Sequence, residues 1–340
     1  MKKSIELDYL KGFAIFFIVL MHIVVVAELK CLPQIVYLPI EVFGGHGVGV
    51  FFFCSGYGLH RLYMTRKYKY FEFLKNRFVK VYLPYIIAVT IMAFIPFTYT
   101  GNDRLMAWLS HALLFKMFVP EYHKSFSSPL WFMSAIFQFY FIYYYLEKVL
   151  ERLGKRFFLL LSLIITIVWK FIFLYCLHDI IFDRSFPRFL FIFAVGMVIS
   201  DSKDSQSDLT KKNVILRISL VLGLSILFVL MKASGNYLLM NLNDVVGDFV
   251  WLLAADISYC FFDKVFKPWI KMFIWVNKFE YELYLWHMLP LTFFFQNQLL
   301  STENLGQQLL FIIICFASAV IIALVYKSLY GFLFKSLKIA

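Results

Sequence analysis

The sequence predicts an all-α integral membrane protein, a bundle of about ten transmembrane helices whose two termini lie in the cytoplasm. Three observations support this prediction. Of the 340 residues, 62% are apolar and 16% are charged, whereas soluble domains are about half apolar and a quarter charged. The apolar residues form runs close to the roughly 20 residues that a bilayer crossing needs. Lysine and arginine are concentrated in alternate loops, as in multi-pass membrane proteins.

Ten segments have the length and composition of membrane spans. They cover approximately residues 8–27, 43–63, 80–100, 129–148, 156–177, 186–200, 213–232, 245–263, 279–298 and 307–334. The sixth segment is short, and the eighth contains Asp248 and Asp256. Residues 103–119 are too polar to cross and are expected to form an amphipathic segment that lies at the membrane surface or dips into it. No cleavage site follows the first segment, so we expect it to remain in the mature protein.

The distribution of Lys and Arg predicts the orientation. With a cytoplasmic N-terminus, 25 of the 33 basic residues fall on the cytoplasmic side and seven on the opposite side. The net charge of +12 is therefore interpreted mainly as a topology signal, and nucleic acid is not an expected partner. The longest polar stretch, 201–212, is expected to be a cytoplasmic loop. Residues 1–340 are expected to form a single membrane domain without an appended soluble domain.

The five cysteines are far apart in the sequence, and none forms a pair with Cys or His at metal-site spacing. They are interpreted as small apolar residues of helices. We therefore expect no metal site, and nothing in the sequence supports a disulfide between Cys31 and Cys176.

The first span, "LDYLKGFAIFFIVLMH" at residues 7–22, carries three polar side chains in an apolar helix. Lys11 and His22 are eleven residues apart, which is about 20° beyond three helical turns, so they share one face about 16 Å apart along the axis. Asp8 joins the same stripe. Asp8 and Lys11 are either interfacial residues that reach water or part of a functional stripe. His22 lies deeper, where it is either satisfied by another helix or serves as a catalytic or proton-relay group.

The second span begins with "GGHGVGVFFFCSGYG" at residues 44–58, which contains six glycines and one serine. Glycine allows helices to pack closely, or backbone to lie next to a ligand. Ser55 lies at a crowded position, where it either belongs to this packing surface or is a candidate nucleophile, although no base lies beside it in the sequence.

The third span begins with "FLKNRFVKVYLPY" at residues 73–85. Arg77 and Lys80 lie on its first turn, and Pro84 is expected to kink it. Basic residues are ordinary in cytoplasmic loops. However, this loop carries seven positive charges against the single acid Glu72, a density that also suits a phosphate-rich ligand.

Two later segments, "SSPLWFMSAIFQFYFIYYY" at residues 127–145 and "FEYELYLWHMLP" at residues 279–290, place polar groups inside spans. Trp131 suits an interfacial belt, and Gln138, on the same face, either joins helices or lines a cavity. In the second segment Glu280, Tyr284 and His287 share one face, Glu282 lies on another, and Pro290 is expected to bend the helix. Two intramembrane histidines and a carboxylate exceed what packing requires.

These five motifs, in this order, resemble acyltransferase family 3, multi-pass membrane proteins that include many O-acetyltransferases of bacterial surface glycans. The resemblance covers nearly the whole chain. The family's first span carries an arginine eleven residues before an essential histidine, and Lys11 and His22 take those places. The family's Arg-x-x-Arg motif becomes Arg77 and Lys80 here. Both departures keep the charge and lose the bidentate guanidinium.

The resemblance implies an acyl-CoA-dependent enzyme of the plasma membrane, with acetyl-CoA as the simplest co-substrate and a cell-surface or lipid-linked glycan as the acceptor. Three basic residues are assigned to the CoA phosphates: Lys11, Arg77 and Lys80. His22 is assigned as the catalytic group, with His287 or Glu282 as its partner. Four side chains are assigned to the acceptor: Ser55, Trp131, Gln138 and Tyr284.

Two other functions fit parts of the sequence. A polytopic transporter or flippase would also contain intramembrane charges, glycines and proline breaks, but the chain lacks the repeated halves typical of transporters. An inactive relative that only binds acyl-CoA is suggested by the replacement of arginine by lysine.

Overall fold

The structure, a computed structural model, describes residues 5–66, 69–177, 182–200 and 214–336. Within these ranges the chain is helical and contains no strand. The α-helices, in chain order, are α1 (Ile5–Val26), α2 (Gln34–Phe43), α3 (Gly47–Arg66), α4 (Tyr70–Arg77), α5 (Leu83–Ala93), α6 (Arg104–Ala112), α7 (Trp131–Ile172), α8 (Phe186–Ser200), α9 (Val214–Ala233), α10 (Tyr237–Val265), α11 (Lys267–Asn277), α12 (Glu280–Trp286), α13 (Met288–Gln296) and α14 (Leu305–Ser336).

Within the described ranges, six helical stretches are long and apolar enough to cross a membrane. They are Ile5–Val26, Gln34–Arg66, Ser128–Cys176, Ile215–Ala233, Tyr237–Val265 and Leu305–Ser336. The shorter apolar helix Phe186–Ser200 coincides with the predicted sixth span. The all-helical membrane class is confirmed, whereas the count of ten spans and the cytoplasmic termini stay predictions. The predicted loop 201–212 lies outside the described residues.

Four of the predicted spans differ from separate straight helices. The segments 129–148 and 156–177 both lie on α7, which is interrupted at Gly154, where φ is 72°. The segment 80–100 begins in a π-helical stretch, Phe78–Tyr82, and continues in α5. The segment 279–298 is divided between α12 and α13, which meet at His287.

Two prolines explain two of these interruptions. Proline has no backbone N–H, and its ring collides with the carbonyl four residues earlier. Pro290 therefore breaks the helix around Trp286 and His287, as the sequence predicts. Upstream of Pro84 the chain adopts a π-turn, in which the N–H of Leu83 donates to the carbonyl of Phe78. Such turns accommodate a locally disrupted helix ladder.

The chain divides into two compact units, each assembled from separate stretches of the sequence. The first comprises Met1–Ala14, His46–Tyr70 and Ala135–Trp275, and the second comprises Ile15–Gly45, Phe71–Ser134 and Val276–Ala340. The expected single membrane domain stays a prediction.

In the first unit, α3 packs on α8 and α10, and α9 packs on α10. The contact between α3 and α8 is close enough to require glycine on both sides. A β-carbon on Gly56 would overlap the carbonyl of Phe193, and one on Gly196 would overlap the carbonyl of Phe53. Within the glycine-rich stretch 44–58, Gly56 therefore serves close packing of α3 on α8.

In the second unit, α12 and α13 pack on α14, and α12 also packs on α5. The hydroxyl of Tyr326 in α14 donates to the carbonyl of Pro84, and its ring contacts that of Trp286. The predicted surface segment 103–119 contains α6, whose first turn is capped by Asp103, since Oδ1 accepts from the N–H of Met106 at 2.8 Å. This segment is anchored by a buried His111 and a buried Lys116.

Candidate functional site

The two histidines that the sequence singles out meet in the second unit. His22 lies near the end of α1 and is half-buried, whereas His287 is only 1% exposed at the junction of α12 and α13. Nδ1 of His22 is 3.1 Å from Nε2 of His287, and the two ring centroids are 5.0 Å apart. Sequence reasoning named both residues. Their contact, between residues 265 positions apart, is a finding of the structure.

The surroundings of His287 determine which ring nitrogens carry protons. Its Nδ1 faces two backbone carbonyls, those of Tyr284 at 2.9 Å and Leu283 at 3.2 Å. A carbonyl only accepts hydrogen bonds, so Nδ1 of His287 carries a proton. In a neutral His287 ring Nε2 then has no proton, and it accepts a hydrogen bond from the Nδ1–H of His22. A neutral His22 held in this way has its lone pair on Nε2, which is the form required of a base or nucleophile.

The break in the helix helps to create this geometry. His287 ends α12 one residue before α13 begins, three residues ahead of Pro290. The Nδ1 edge of its ring folds back onto the last turn of α12, which leaves the Nε2 edge to reach α1. The proline therefore has a role that goes beyond a bend in the helix.

Tyr284 and Trp131 lie in the same unit as the histidine pair. The hydroxyl of Tyr284 donates to the carbonyl of Pro129 at 3.1 Å, and its ring packs edge-on against Phe132, 5.5 Å between centroids. Trp131, the first residue of α7, is 9% exposed and also contacts Phe132. Tyr284 and Trp131, two of the four residues assigned to the acceptor, are therefore held in an aromatic cluster at the start of α7.

Glu282 lies on another part of α12 from the histidine contact. Its carboxylate accepts a hydrogen bond from the hydroxyl of Tyr330, and Nζ of Lys327 is 3.5 Å away. Both partners belong to α14, and Glu282 is 3% exposed. Of the two expected partners of His22, the structure brings His287 to it and gives Glu282 a contact with α14.

Of the basic residues of the third span, Arg77 precedes the π-turn and Lys80 lies within it. Arg77 is half-buried, with its guanidinium 5.3 Å from the centroid of the Phe73 ring, and Lys80 is exposed within the turn. The hydroxyl of Tyr281 in α12 donates to the carbonyl of Val81. The turn that carries Lys80 is thus joined to the helix that ends at His287. Lys11 is half-buried on α1.

Ser55 and Gln138 lie in the first unit. Ser55 is half-buried in α3, next to the closely packed Gly56. Oε1 of Gln138 in α7 accepts the backbone N–H of Phe186 at 2.9 Å, at the start of α8. Of the two roles that the sequence leaves open for Gln138, this contact matches the one that joins helices.

The comparison with protein families adds independent information. A family model described as an acyltransferase domain matches residues 4–327, nearly the whole chain. The chain belongs to acyltransferase family 3. No curated protein and no solved structure gives a significant match. As a member of this family the chain is a membrane acyltransferase, and the resemblance carried by the five motifs is confirmed.

This family member also contains two buried histidine–carboxylate pairs that the sequence analysis did not predict. Nδ1 of His46 lies 2.8 Å from Asp248, and Nδ1 of His60 lies 2.8 Å from Glu147. All four residues are buried. The two carboxylates lie 202 and 87 positions from their histidines, so no local pattern could pair them. The acid Asp248 in the eighth predicted span was the one available signal.

Proposed function

We propose that this acyltransferase moves an acyl group, in the simplest case acetyl, from cytosolic acyl-CoA to a hydroxyl of a cell-surface or lipid-linked glycan at the plasma membrane. The observation that carries the proposal is the contact between His22 and His287. It holds His22 in the tautomer that offers a lone pair at Nε2.

Nε2 of His22 supports two routes of acyl transfer. In the first it removes the proton of the acceptor hydroxyl while the oxygen attacks the thioester carbonyl. The carbon–sulfur bond then breaks, and the proton passes from His22 to the departing CoA sulfur. Proton transfer of this kind contributes roughly 10²–10⁴-fold to a rate.

In the second route Nε2 attacks the thioester itself. The carbon–sulfur bond breaks as the bond between Nε2 and the acyl carbon forms, and the proton released from Nδ1 of His22 balances the one gained by the CoA sulfur, which leaves a neutral acyl-imidazole. The acceptor oxygen then takes the acyl group, and the hydroxyl proton returns to Nδ1 to restore the neutral imidazole. This route divides the reaction between two steps, so the donor and the acceptor need not be bound at the same time.

The donor is expected to bind through its phosphates. Arg77 and Lys80 provide positive charge at the π-turn, and Tyr281 joins that turn to α12. We assign Lys11 to the same ligand from its place in the family motif. A lysine binds phosphate as a point charge, without the fork of an arginine. We therefore expect weaker positioning of CoA than two arginines would give.

The acceptor is assigned to Ser55, Trp131, Gln138 and Tyr284. Support is strongest for the two aromatic residues, because Tyr284 is three residues from His287 and its carbonyl accepts from the His287 ring. Aromatic rings offer sugars flat apolar faces, as they do in other ligand sites.

The proposal is tested by acyl transfer from labelled acetyl-CoA to membrane glycans, together with release of the CoA thiol. His22→Ala should lower the transfer rate by at least about 100-fold, because the base or nucleophile is removed. His287→Gln should keep part of the activity, since its amide oxygen replaces the accepting Nε2, whereas His287→Leu should lose most of it. His123→Ala is the control, because this histidine lies outside the pair, and its rate should match that of the unchanged protein.

Three results would contradict the proposal. Full transfer by an inserted His22→Ala variant would remove the catalytic role of this residue. Glycan or metabolite movement without thiol release would identify a transporter, and acetyl-CoA binding without thiol release or transfer would identify an inactive relative.

A further inference from the structure

A second group of charged residues lies in the first unit and takes no part in the bond-making and proton-transfer steps described above. Lys170 of α7 is fully buried, and its ammonium group donates to Asp183 at 2.7 Å and to Asp244 at 3.1 Å. The guanidinium of Arg188 in α8 lies 3.8 Å from Asp183 and 3.5 Å from Asp244. Three helices, α7, α8 and α10, thus contribute to one polar cluster.

The cluster continues along α10 to the pair formed by His46 and Asp248. Asp244 and Asp248 are four residues apart and therefore face the same side of the helix. This pair occupies space that only glycine leaves open, because a β-carbon on Gly49 would overlap Asp248 and one on Gly247 would overlap the ring of His46. Glycine at both positions is thus required by the buried polar groups.

Stability alone does not account for these charges. Burying two ions costs several kcal/mol in desolvation, and apolar replacements of similar volume are often neutral or stabilising. Charged groups inside a membrane protein are costly, and they usually mark a pathway or a binding site. A ligand would explain why the cluster is retained.

The cluster also contains buried polar atoms that make no hydrogen bond to any described residue. In the part of the chain that the structure describes, three buried atoms in this segment have no hydrogen-bond partner: Oδ1 of Asp183, Oγ of Ser185 and Nε of Arg188. Asp183 is 8% exposed and Ser185 is 4% exposed. Since the other oxygen of Asp183 binds Lys170, its unsatisfied oxygen lies within the cluster. Buried groups without partners are rare in native proteins and call for an explanation.

Access and charge indicate the kind of ligand. The side chain of Asp244 is 36% exposed, so the cluster is not sealed. Its positive and negative side chains balance in number, with Lys170, Arg184 and Arg188 against Asp183, Asp244 and Asp248. A balanced set of donors and acceptors suits a neutral molecule rich in hydroxyl groups, because each hydroxyl can donate to a carboxylate and accept from a cation.

We infer that the cluster around Lys170, Asp183, Arg188 and Asp244 is a binding site for a neutral sugar unit of the glycan acceptor. The inference deepens the proposed function and rests on it. Asp244 is the accessible carboxylate, and the hydroxyls of the sugar would satisfy Oδ1 of Asp183, Oγ of Ser185 and Nε of Arg188.

The experiment measures sugar binding to the full-length protein in lipid nanodiscs by saturation-transfer NMR. The probes are neutral gluco-, galacto-, manno- and N-acetylglucosamine disaccharides, each compared with its permethylated form, which cannot donate hydrogen bonds. We expect at least one free disaccharide to bind and its permethylated form not to bind. Asp244→Asn should weaken this binding about tenfold, the usual loss when a hydrogen bond to a charged group is removed.

Two further variants separate binding from folding. Ser185→Ala removes a buried hydroxyl that has no hydrogen-bond partner among the described residues, so it should leave the melting temperature unchanged or raised while weakening sugar binding severalfold. Asp263→Asn changes an exposed acid at the other end of α10 and should bind like the unchanged protein. Unaltered binding in both Asp244→Asn and Ser185→Ala would overturn the inference, as would an absence of binding by every neutral disaccharide.

Inorganic phosphate is the anionic probe. Displacement of the sugar by phosphate would identify an anion site and would also overturn the inference. The proposed function has a separate test. It is contradicted if the unchanged protein releases no CoA thiol, regardless of whether the protein binds sugar. If transfer proceeds with the same acceptor KM in Asp244→Asn as in the unchanged protein, only the sugar site fails.

Discussion

At the scale of single residues, the hydrogen bonds at Nδ1 of His287 determine which nitrogen of His22 has the lone pair needed for catalysis. Nδ1 of His287 donates to the carbonyls of the α12 turn, and this leaves Nε2 as the acceptor for His22. The sequence predicted that His22 needs a partner on another helix. It could not distinguish His287 from Glu282, since two residues five positions apart on one helix differ only in the direction in which they point.

Glu282 offers a test of its own role at this scale. Tyr330→Phe removes the hydroxyl that donates to Glu282 and should lower the free energy of unfolding by about 1–3 kcal/mol, because a buried carboxylate loses a partner. Glu282→Gln should lower it by a similar amount, as measured by thermal unfolding in detergent. The rate of acyl transfer per folded molecule then separates a catalytic role of Glu282 from a structural one. A lower rate in Glu282→Gln but not in Tyr330→Phe would make Glu282 the catalytic carboxylate that the sequence suggests. Equal rates in the two variants would limit Glu282 to holding α12 on α14.

His111 gives the protein a dependence on pH. Burial, together with the ammonium group of Lys116, holds the pKa of His111 well below its usual 6.5. Its Nε2 faces Ser125 and its Nδ1 faces the hydroxyl of Tyr85, 2.8 Å away. The neutral ring is therefore the form that the fold accommodates.

The sign of the effect follows from this lowered pKa. Below pH 6.5 the unfolded chain binds a proton at His111 that the folded chain does not, so the unfolded state gains stability as the pH falls. The free energy of unfolding should be fully retained above about pH 6.5 and should decrease progressively towards about pH 5. Thermal unfolding across this range checks the slope, which His111→Gln should reduce. An equal slope in this variant would assign the effect to other groups.

At the scale of the element, the close packing of α3 on α8 predicts that a single added β-carbon will destabilise the protein. Gly56→Ala places a β-carbon against the backbone carbonyl of Phe193, and backbone cannot move aside as the end of a side chain can. We expect a loss of about 1–3 kcal/mol in the free energy of unfolding. The control is Gly58→Ala on the same helix, where a β-carbon meets nothing within 4 Å.

The control variant should be neutral or more stable by about 0.5–1 kcal/mol, since alanine favours the helix. Thermal unfolding of the two variants in the same detergent makes the comparison direct. Equal melting temperatures for Gly56→Ala and Gly58→Ala would show that the close approach of the two helices is not needed for stability.

Helix breaks were predicted well because their causes are local. Pro84 and Pro290 act on carbonyls four residues away, and the structure has its interruptions at Phe78–Tyr82 and at His287. The pairing of buried charges was not predicted. Lys170 meets Asp244 at 74 positions and His60 meets Glu147 at 87 positions, and such pairs depend on which helices are neighbours, which periodicity along one chain does not contain.

At the scale of the whole molecule, the predicted orientation assigns two exposed positions to opposite sides of the membrane. Cys31 follows the first span and is exposed, so it should lie outside the cytoplasm. Lys75 lies in the basic loop before the third span and is also exposed, so it should lie within the cytoplasm. The excess of Lys and Arg in that loop is the physical reason, because such segments are retained on the cytoplasmic side.

Cys176 is also exposed, and it ends the fifth predicted span on the same side as Cys31, so it is replaced first. A membrane-impermeant maleimide applied to intact cells should therefore label Cys31 in Cys176→Ser and should not label the double variant Cys31→Ser, Cys176→Ser. In this double-variant background, Lys75→Cys should be labelled only after the cells are permeabilised. Labelling of Lys75→Cys in intact cells, with Cys31 labelled only after permeabilisation, would reverse the orientation. It would also place Arg77 and Lys80 on the side that lacks CoA, so the same measurement tests the donor side of the proposed reaction. Labelling of both positions from one side would show instead that the number of crossings between them is even, contrary to the one crossing predicted at residues 43–63.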